Sequence, residues 1–331
     1  MQKGNAITDV PGIKVGHASD FKALTGCTVI LCEEGAIGAV DIRGTAAGTR
    51  QIDALTPIHL VDKIHALLFT GGSAFGLDAA GGVMTYLEEK GKGFDVGMTT
   101  VPIVPAAVIF DFSIGEYRVR PDHQMGYQAC LHGSKKVEEG SVGVGTGATV
   151  GKLFGIERAM KGGVGSFSIR GPKGIIVGAL VVINAFGDIY DPGSNQILAG
   201  ARKSKKSHQF ANSYKWIKRG VTRKQFGGAT PSDASVFNTT LGVIATNALM
   251  TKKESLQVAQ IAHSGLTKVI SPIHTTFDGD MLFALSMGKK KADVNTIGLL
   301  GKVTLMESVK RAITKADGFG VILAYRDIHR K

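Results

Sequence analysis

The sequence predicts an α/β (α+β) protein in which stacked β-sheets are covered by helices. Three observations predict it. Apolar, β-branched runs come in clusters, with helical patterns after them in both halves of the chain, rather than in strict strand–helix alternation. The run 174–184 is almost wholly apolar, as a strand buried on both faces must be. No internal repeat and no second independent core interrupts residues 1–331, so the chain reads as a single domain.

The elements follow in order. Residues 5–16 alternate apolar and polar around the turn signal Pro11-Gly12. Residues 28–32 read as a strand ending in an acidic turn, Glu33-Glu34-Gly35, with 36–42 as its neighbour. The run 41–49 then passes into small residues, which let a backbone approach another segment closely. Residues 65–70 form a short apolar strand feeding Gly71-Gly72-Ser73-Ala74-Phe75-Gly76. A helix follows, with Leu77, Ala80, Met84 and Leu87 on one face and Gly91 as its stop. This junction misses the G-x-S-x-G frame of a nucleophile elbow, so Ser73 is a turn residue. Residues 103–112 are β-rich, and Arg120-Pro121-Asp122 opens a helix carrying Tyr127 and Cys130.

Residues 143–152 fail as a phosphate loop. Thr146 stands where the frame needs glycine, and Leu153 replaces the magnesium-binding hydroxyl. Residues 163–169 and 174–184 pair through Gly171-Pro172-Lys173-Gly174. The pattern dissolves beyond Tyr190 and resumes at Thr239. Thr251-Lys252-Lys253-Glu254 is a capping box, opening a helix that buries Leu256, Ala259, Ala262 and Leu266. A strand over 281–287 comes next. A long helix over 294–316 carries Ile297, Leu300, Val303, Val309 and Ala312 on one stripe.

Composition narrows the function. Hydrophobic residues make up 44% of the chain, enough for a packed core, and the 45 glycines recur without a period. No apolar run reaches the roughly 18 residues of a membrane span, and no signal peptide is evident. Three cysteines, Cys27, Cys32 and Cys130, cannot all pair, which suits reduced thiols in a cytoplasmic protein. The nine histidines show no metal-binding spacing, so neither a metal nor another cofactor is expected. The net charge of +12 invites a nucleic-acid reading. Nine Lys or Arg and no acid lie within 201–225, however, so the excess is local. A basic linker over 201–232, open to solvent, is the simpler account, and no nucleic-acid or membrane partner is expected.

The chemistry centres on Asn238-Thr239 at the mouth of an apolar, β-branched run. Cutting this bond would give Thr239 both a hydroxyl nucleophile and an α-amine base titrating at roughly 7.7–8.0. Asp278 and Asp280 follow 39 and 41 residues downstream around Gly279. On an extended segment, residues two apart share a side, so both carboxylates can face one site and one can be driven to keep its proton. Asn184, at the end of a buried strand, offers an uncharged amide donor.

Five ordered motifs carry a family resemblance over nearly the whole chain. They are Ile7-Thr8-Asp9-Val10-Pro11-Gly12-Ile13-Lys14-Val15-Gly16-His17, Gly71-Gly72-Ser73-Ala74-Phe75-Gly76-Leu77, Arg120-Pro121-Asp122 with Gly126-Tyr127-Gln128-Ala129-Cys130, Val182-Ile183-Asn184-Ala185-Phe186-Gly187-Asp188, and the Asn-Thr-Thr site. Together they resemble the self-processing N-terminal-nucleophile hydrolases that include D-aminopeptidase/amidase, β-peptidyl aminopeptidase and nylon-oligomer hydrolase. The resemblance implies a four-layer αββα sandwich. It also implies a precursor that cleaves into 1–238 and 239–331, and a homo-oligomer (a tetramer of processed heterodimers). It assigns Thr239 as nucleophile, Asn184 to the oxyanion hole and Asp278 and Asp280 as the acidic pair. It adds Lys161, 78 residues before the nucleophile, and Tyr127, with Tyr117 as the alternative. The implied activity is amide hydrolysis on small amides or short peptides with a free amino end. The rival readings are an acyltransferase of the ornithine acetyltransferase type, whose Ala-Thr-Met-Leu processing context is missing, and a non-catalytic nucleic-acid-binding protein.

Overall fold

The computed structural model describes residues 2–3, 5–221 and 238–329. One strand explains its layering. β2 (Thr25–Gly44) is 20 residues long and joins the two halves of one hydrogen-bonded sheet. Its first half pairs antiparallel with β1 (Lys14–Asp20) and β3 (Lys63–Thr70), and β3 continues in parallel to β4 (Ala106–Val108). Its second half pairs antiparallel with β8 (Gly279–Lys290). From there the sheet runs through β7 (Thr239–Ala248) and β6 (Ile176–Asn184) to β5 (Gly163–Arg170). Between the halves the expected acidic turn is instead an irregularity in one continuous strand. Gly35 sits at φ 84, a left-handed conformation that costs glycine little, and the register with β3 shifts there.

The two halves stack face to face. Between them lies a core containing Ile30, Leu67, Phe69, Leu180, Val182, Leu241, Val243, Met281 and Phe283. Alternate residues of β6, β7 and β8, such as Val181, Ile244 and Leu282, point the other way. They pack under α4 (Lys252–His263) and α5 (Val294–Thr314), through Val258, Ala262, Ile297 and Val309. On the far side, Val29, Leu31 and Leu68 pack under α1 (Ala79–Glu89) and α2 (His123–Leu131). The result is the expected four-layer αββα sandwich. No helix of the described residues is long and apolar enough to cross a membrane.

Local signals account for most boundaries. Thr251 and Glu254 form the reciprocal capping box of α4, and Gly91 follows α1 at φ 63. Three expectations need correction. Only Ala106–Val108 of the 103–112 run is a strand. Val303 is 42% exposed, because the buried stripe of α5 runs through Leu300, Thr304 and Leu305 instead. The segment 201–221 carries local structure, although most of its side chains from Lys203 onward are exposed. Ala201 packs against Leu153 and Phe186, and the buried Arg202 donates to the carbonyls of Glu157 and Lys205. A short helix, α3 (Ser213–Lys218), follows. The rest of the expected linker, 222–232, lies outside the described residues.

The inter-sheet core generates a stability prediction. Phe69 and Phe283 meet across it with ring centroids 5.8 Å apart, both fully buried. Phe283→Ala should lower unfolding free energy by about 3–5 kcal/mol, read as a fall in urea midpoint at unchanged slope.

Candidate active site

β7 and β8 run parallel and β6 runs antiparallel to β7, so the end of β6 and the starts of β7 and β8 share one edge. This geometry turns sequence separation into contact. Asn184 is the register partner of Thr239, and Asn238 bridges Asp278. Thr239 has the parity of Leu241 and Val243, so its side chain belongs to the inter-sheet side of β7. Its buried hydroxyl donates to the carbonyl oxygen of Asn238 at 2.7 Å. The same oxygen accepts the Gly279 N–H at 2.9 Å, while the Asn238 N–H donates to Phe277 O at 3.1 Å. The carbonyl of the Asn238–Thr239 bond is thus gripped by two donors.

The carboxylates sit where expected in sequence but act on different atoms. Asp280 has the parity of Leu282, on the helix side of β8. Its Oδ1 accepts the Thr240 N–H at 2.6 Å, and its Oδ2 accepts from the backbone N–H of His274 at 3.2 Å and from His274 Nδ1 at 2.9 Å. Asp278 accepts from the Thr275 N–H at 3.0 Å, the Thr275 hydroxyl at 2.6 Å and the Phe186 N–H at 3.4 Å. Burial and the neighbouring Asp280 charge push the Asp278 carboxyl well above its ordinary range, against the pull of Thr275 and Phe186. Asp280 fixes the β7 backbone next to Thr239, Asp278 ties its own loop to Phe186 just past β6, and neither is hydrogen-bonded to the Thr239 hydroxyl.

The small-residue run 44–47 explains how the loop is held. Thr45 and Ala46 donate their N–H groups to Asp278 O at 2.9 and 3.1 Å. Gly44, at φ 86, leaves no room for a Cβ, which would lie 2.1 Å from the same oxygen.

Asn184 is fully buried. Its Oδ1 accepts from Thr149 N at 3.1 Å and Lys152 Nζ at 2.7 Å, and its Nδ2 donates to Phe110 O at 3.1 Å. Lys152 also reaches Asn184 O at 3.1 Å. The carbonyl end of the amide is therefore pinned, which fixes where its two N–H groups point. Lys152 was missed as a site residue, because a lone lysine in a failed phosphate frame carries no signal of burial.

Lys161 is buried next door. Its ammonium donates to the carbonyls of Gly145 (2.7 Å), Ala148 (3.0 Å) and Gly162 (3.2 Å), not to Thr239 or Asn184. Burial pulls it down to about 7, with Asp111 and Asp317 opposing. Tyr127 is not part of the cluster. It lies on α2 in the outer helical layer, where its hydroxyl donates to Glu89 at 2.7 Å and its ring meets Tyr86 edge-on. Tyr117 is half-exposed on the loop between Phe110 and Pro121, with Arg118 over its ring. Among the described residues, no group of three or more His, Cys, Asp or Glu could hold a metal ion. A cavity of about 910 Å³ lined by Arg202, Lys205, Leu323 and Arg326 contains none of the Thr239 cluster.

Solved structures share this architecture. An L-aminopeptidase D-Ala-esterase/amidase from Ochrobactrum anthropi, described as a variant of the Ntn hydrolase fold, superposes with a TM-score of 0.69 at 17% identity, covering 98% of this chain and 92% of its own. A β-aminopeptidase from Burkholderia sp. gives 0.66 at 19% identity, covering 98% and 92%. The fold is that of the N-terminal-nucleophile hydrolases. An uncharacterized aminopeptidase from Mycobacterium tuberculosis is 41% identical over 98% of both chains. A 6-aminohexanoate-oligomer endohydrolase from Kocuria sp. is 30% identical over 92% of this chain and 84% of its own. The model of peptidase family S58 matches residues 5–318, and the chain belongs to that family and is a hydrolase.

The raised Asp278 carboxyl generates a pH prediction. In the native state it holds its proton above the ordinary value of 3.8, so between that value and its raised native value the folded form binds more protons than the unfolded one. Its contribution to stability is present at acid pH and is lost as pH rises through this window. Asp278→Asn should flatten the fall in urea midpoint between about pH 4 and neutrality relative to the parent. Lys161 titrates in a window above it and leaves that comparison intact.

Proposed function

We propose that the chain is a self-cleaving aminopeptidase/amidase that uses Thr239 as an N-terminal nucleophile on small amides or short peptides with a free amino end. The observation that carries the reading is the Thr239 hydroxyl at 2.7 Å from the Asn238 carbonyl oxygen, itself held by the Gly279 N–H. In processing, Oγ1 attacks the Asn238 carbonyl carbon and the oxyanion is stabilised by Gly279 N–H. The C–N bond breaks, the Thr239 nitrogen takes the proton, and water hydrolyses the resulting ester to give chains 1–238 and 239–331.

In turnover the freed α-amine accepts the hydroxyl proton as Oγ1 attacks the substrate carbonyl, then returns it to the leaving amine. Water hydrolyses the acyl ester. The Asn184 amide, pinned by Lys152 and Thr149, donates to the substrate oxyanion. Asp280 and Asp278 hold the β7 and β8 ends in register around the nucleophile, and Asp278 is the member that keeps a proton. Lys161 ties down the turn that presents Thr149 to Asn184. The substrate class rests on the names of the relatives, which include aminopeptidases and a 6-aminohexanoate-oligomer hydrolase. We also propose a cytoplasmic homo-oligomer (a tetramer of processed heterodimers). Exposed apolar side chains at Ile58, Leu60 and Met98 support a self-associating face.

Two variants separate the steps. Thr239→Ala should stay one chain and hydrolyse nothing. Asn184→Ala should still cleave itself, since that event happens once, but lose on the order of 10²–10³ in kcat. Intact mass and hydrolysis of an amino-acid p-nitroanilide, measured on the same preparations, check both. A cleaved Thr239→Ala protein would place the nucleophile elsewhere.

A further inference from the structure

Beneath the site lies a line of four titratable side chains from three elements. Asp280 meets His274 at 2.9 Å through Nδ1. The His274 ring stands edge-on to His263 of α4, centroids 4.8 Å apart at 88°. His263 Nδ1 in turn meets Asp41 of β2 at 2.7 Å, and Asp41 also accepts from Arg43 Nε at 2.9 Å. His263 is fully buried. Both Nε2 atoms are buried with no hydrogen-bond partner among the described residues. His274 adopts φ 57, in the left-handed region that histidine enters more often than most residues with a side chain.

A carboxylate can only accept, so Nδ1 of each ring carries the proton and each Nε2 is a bare lone pair. A buried N–H at either Nε2 would lack an acceptor, which is the costlier arrangement. With Thr240 N–H on Oδ1 and two His274 donors on Oδ2, Asp280 receives three donors and offers no proton.

We propose that His274, braced by His263 and Asp41, is a positioning residue that holds Asp280 as the backbone-gripping member of the pair. It never touches substrate; it acts through Asp280 on the register of Thr240 and hence of Thr239. The groups around it are Asp278 and Thr275 on its own loop, Asp280 from β8, Thr240 from β7, His263 from α4, and Asp41 and Arg43 from β2. The catalytic consequence rests on the Thr239 reading above, but the tautomer does not.

Two arms test it. The first is the imidazole ¹⁵N spectrum of the full-length protein, which should show His274 protonated at Nδ1 and bare at Nε2. A proton at Nε2 overturns the proposal whether or not the chain hydrolyses anything. The second compares His274→Ala with His274→Asn. Asparagine tolerates the same backbone conformation and keeps a donor near the Nδ1 position. His274→Ala should lose about 10–100-fold in kcat with KM little changed, as for deletion of a hydrogen bond to a charged group. His274→Asn should recover most of that loss. Equal losses in both variants, a change confined to KM, or unchanged kcat in His274→Ala each overturn it. If the parent chain stays whole and inactive, the Thr239 reading falls while the ¹⁵N arm still decides the role of His274.

Discussion

Everything at the site depends on the parallel pairing of β7 with β8. Leu241 sits opposite Met281 and Val243 opposite Phe283, and this apolar register is buried on both faces. A shift of one residue would turn the inter-sheet side chains toward the helices and the helix-facing ones toward the other sheet. The core therefore fixes the register, and the register fixes the chemistry. Asn238 lands beside Asp278, the Gly279 N–H lands on the Asn238 carbonyl, and Asp280 lands under Thr240. A hydrophobic constraint several residues inside the sheet thus aims polar groups at its edge.

Three buried ammonium groups, two near that edge and one at the far end of β7, are satisfied in the same way. Lys161 and Lys252 donate to three backbone carbonyls each, and Lys152 to a carbonyl and an amide oxygen. Carbonyl dipoles replace water around these ammonium groups. Such cations act as ties between loops. Lys252, for example, gathers Ala54, Thr56 and Val61 against the start of α4. Asp278 and Asp280 at the nucleophile are likewise held by N–H groups and the Thr275 hydroxyl, and among the described residues no Lys or Arg is hydrogen-bonded to either.

Much of this was legible in the sequence, for physical reasons. Periodicity marked the strands and helices because burial acts on whole faces, and the apolar run ending at Asn184 announced a central strand. The glycine and alanine run 44–48 announced close backbone approach, and it does cross Asp278 and Gly279. The Asn-Thr pair and the two aspartates were found because their chemistry needs few residues close together. What stayed hidden depends on the third dimension. Gly35 reads as a turn in a string, yet here it lets one strand pass between the two halves of the sheet. Tyr127 sits in a matching motif, but its hydroxyl meets Glu89 in the outer helical layer. Lys152, His263 and His274 gain their roles only from partners 32, 222 and 6 positions away, and no local pattern encodes such pairs.

The placement of β7 and β8 has one more consequence. They lie in the middle of the sheet, flanked by β6 on one side and β2 on the other, and they carry α4 and α5 with them. A break at Asn238–Thr239 would leave two polypeptides that share a single core, each lacking a layer without the other. Assembly would pass from an intramolecular process to a second-order encounter, with no tether to supply effective concentration. Once unfolded and diluted, such a molecule would lose the route by which it first formed. Its lifetime would then be governed by the height of the unfolding barrier rather than by an equilibrium.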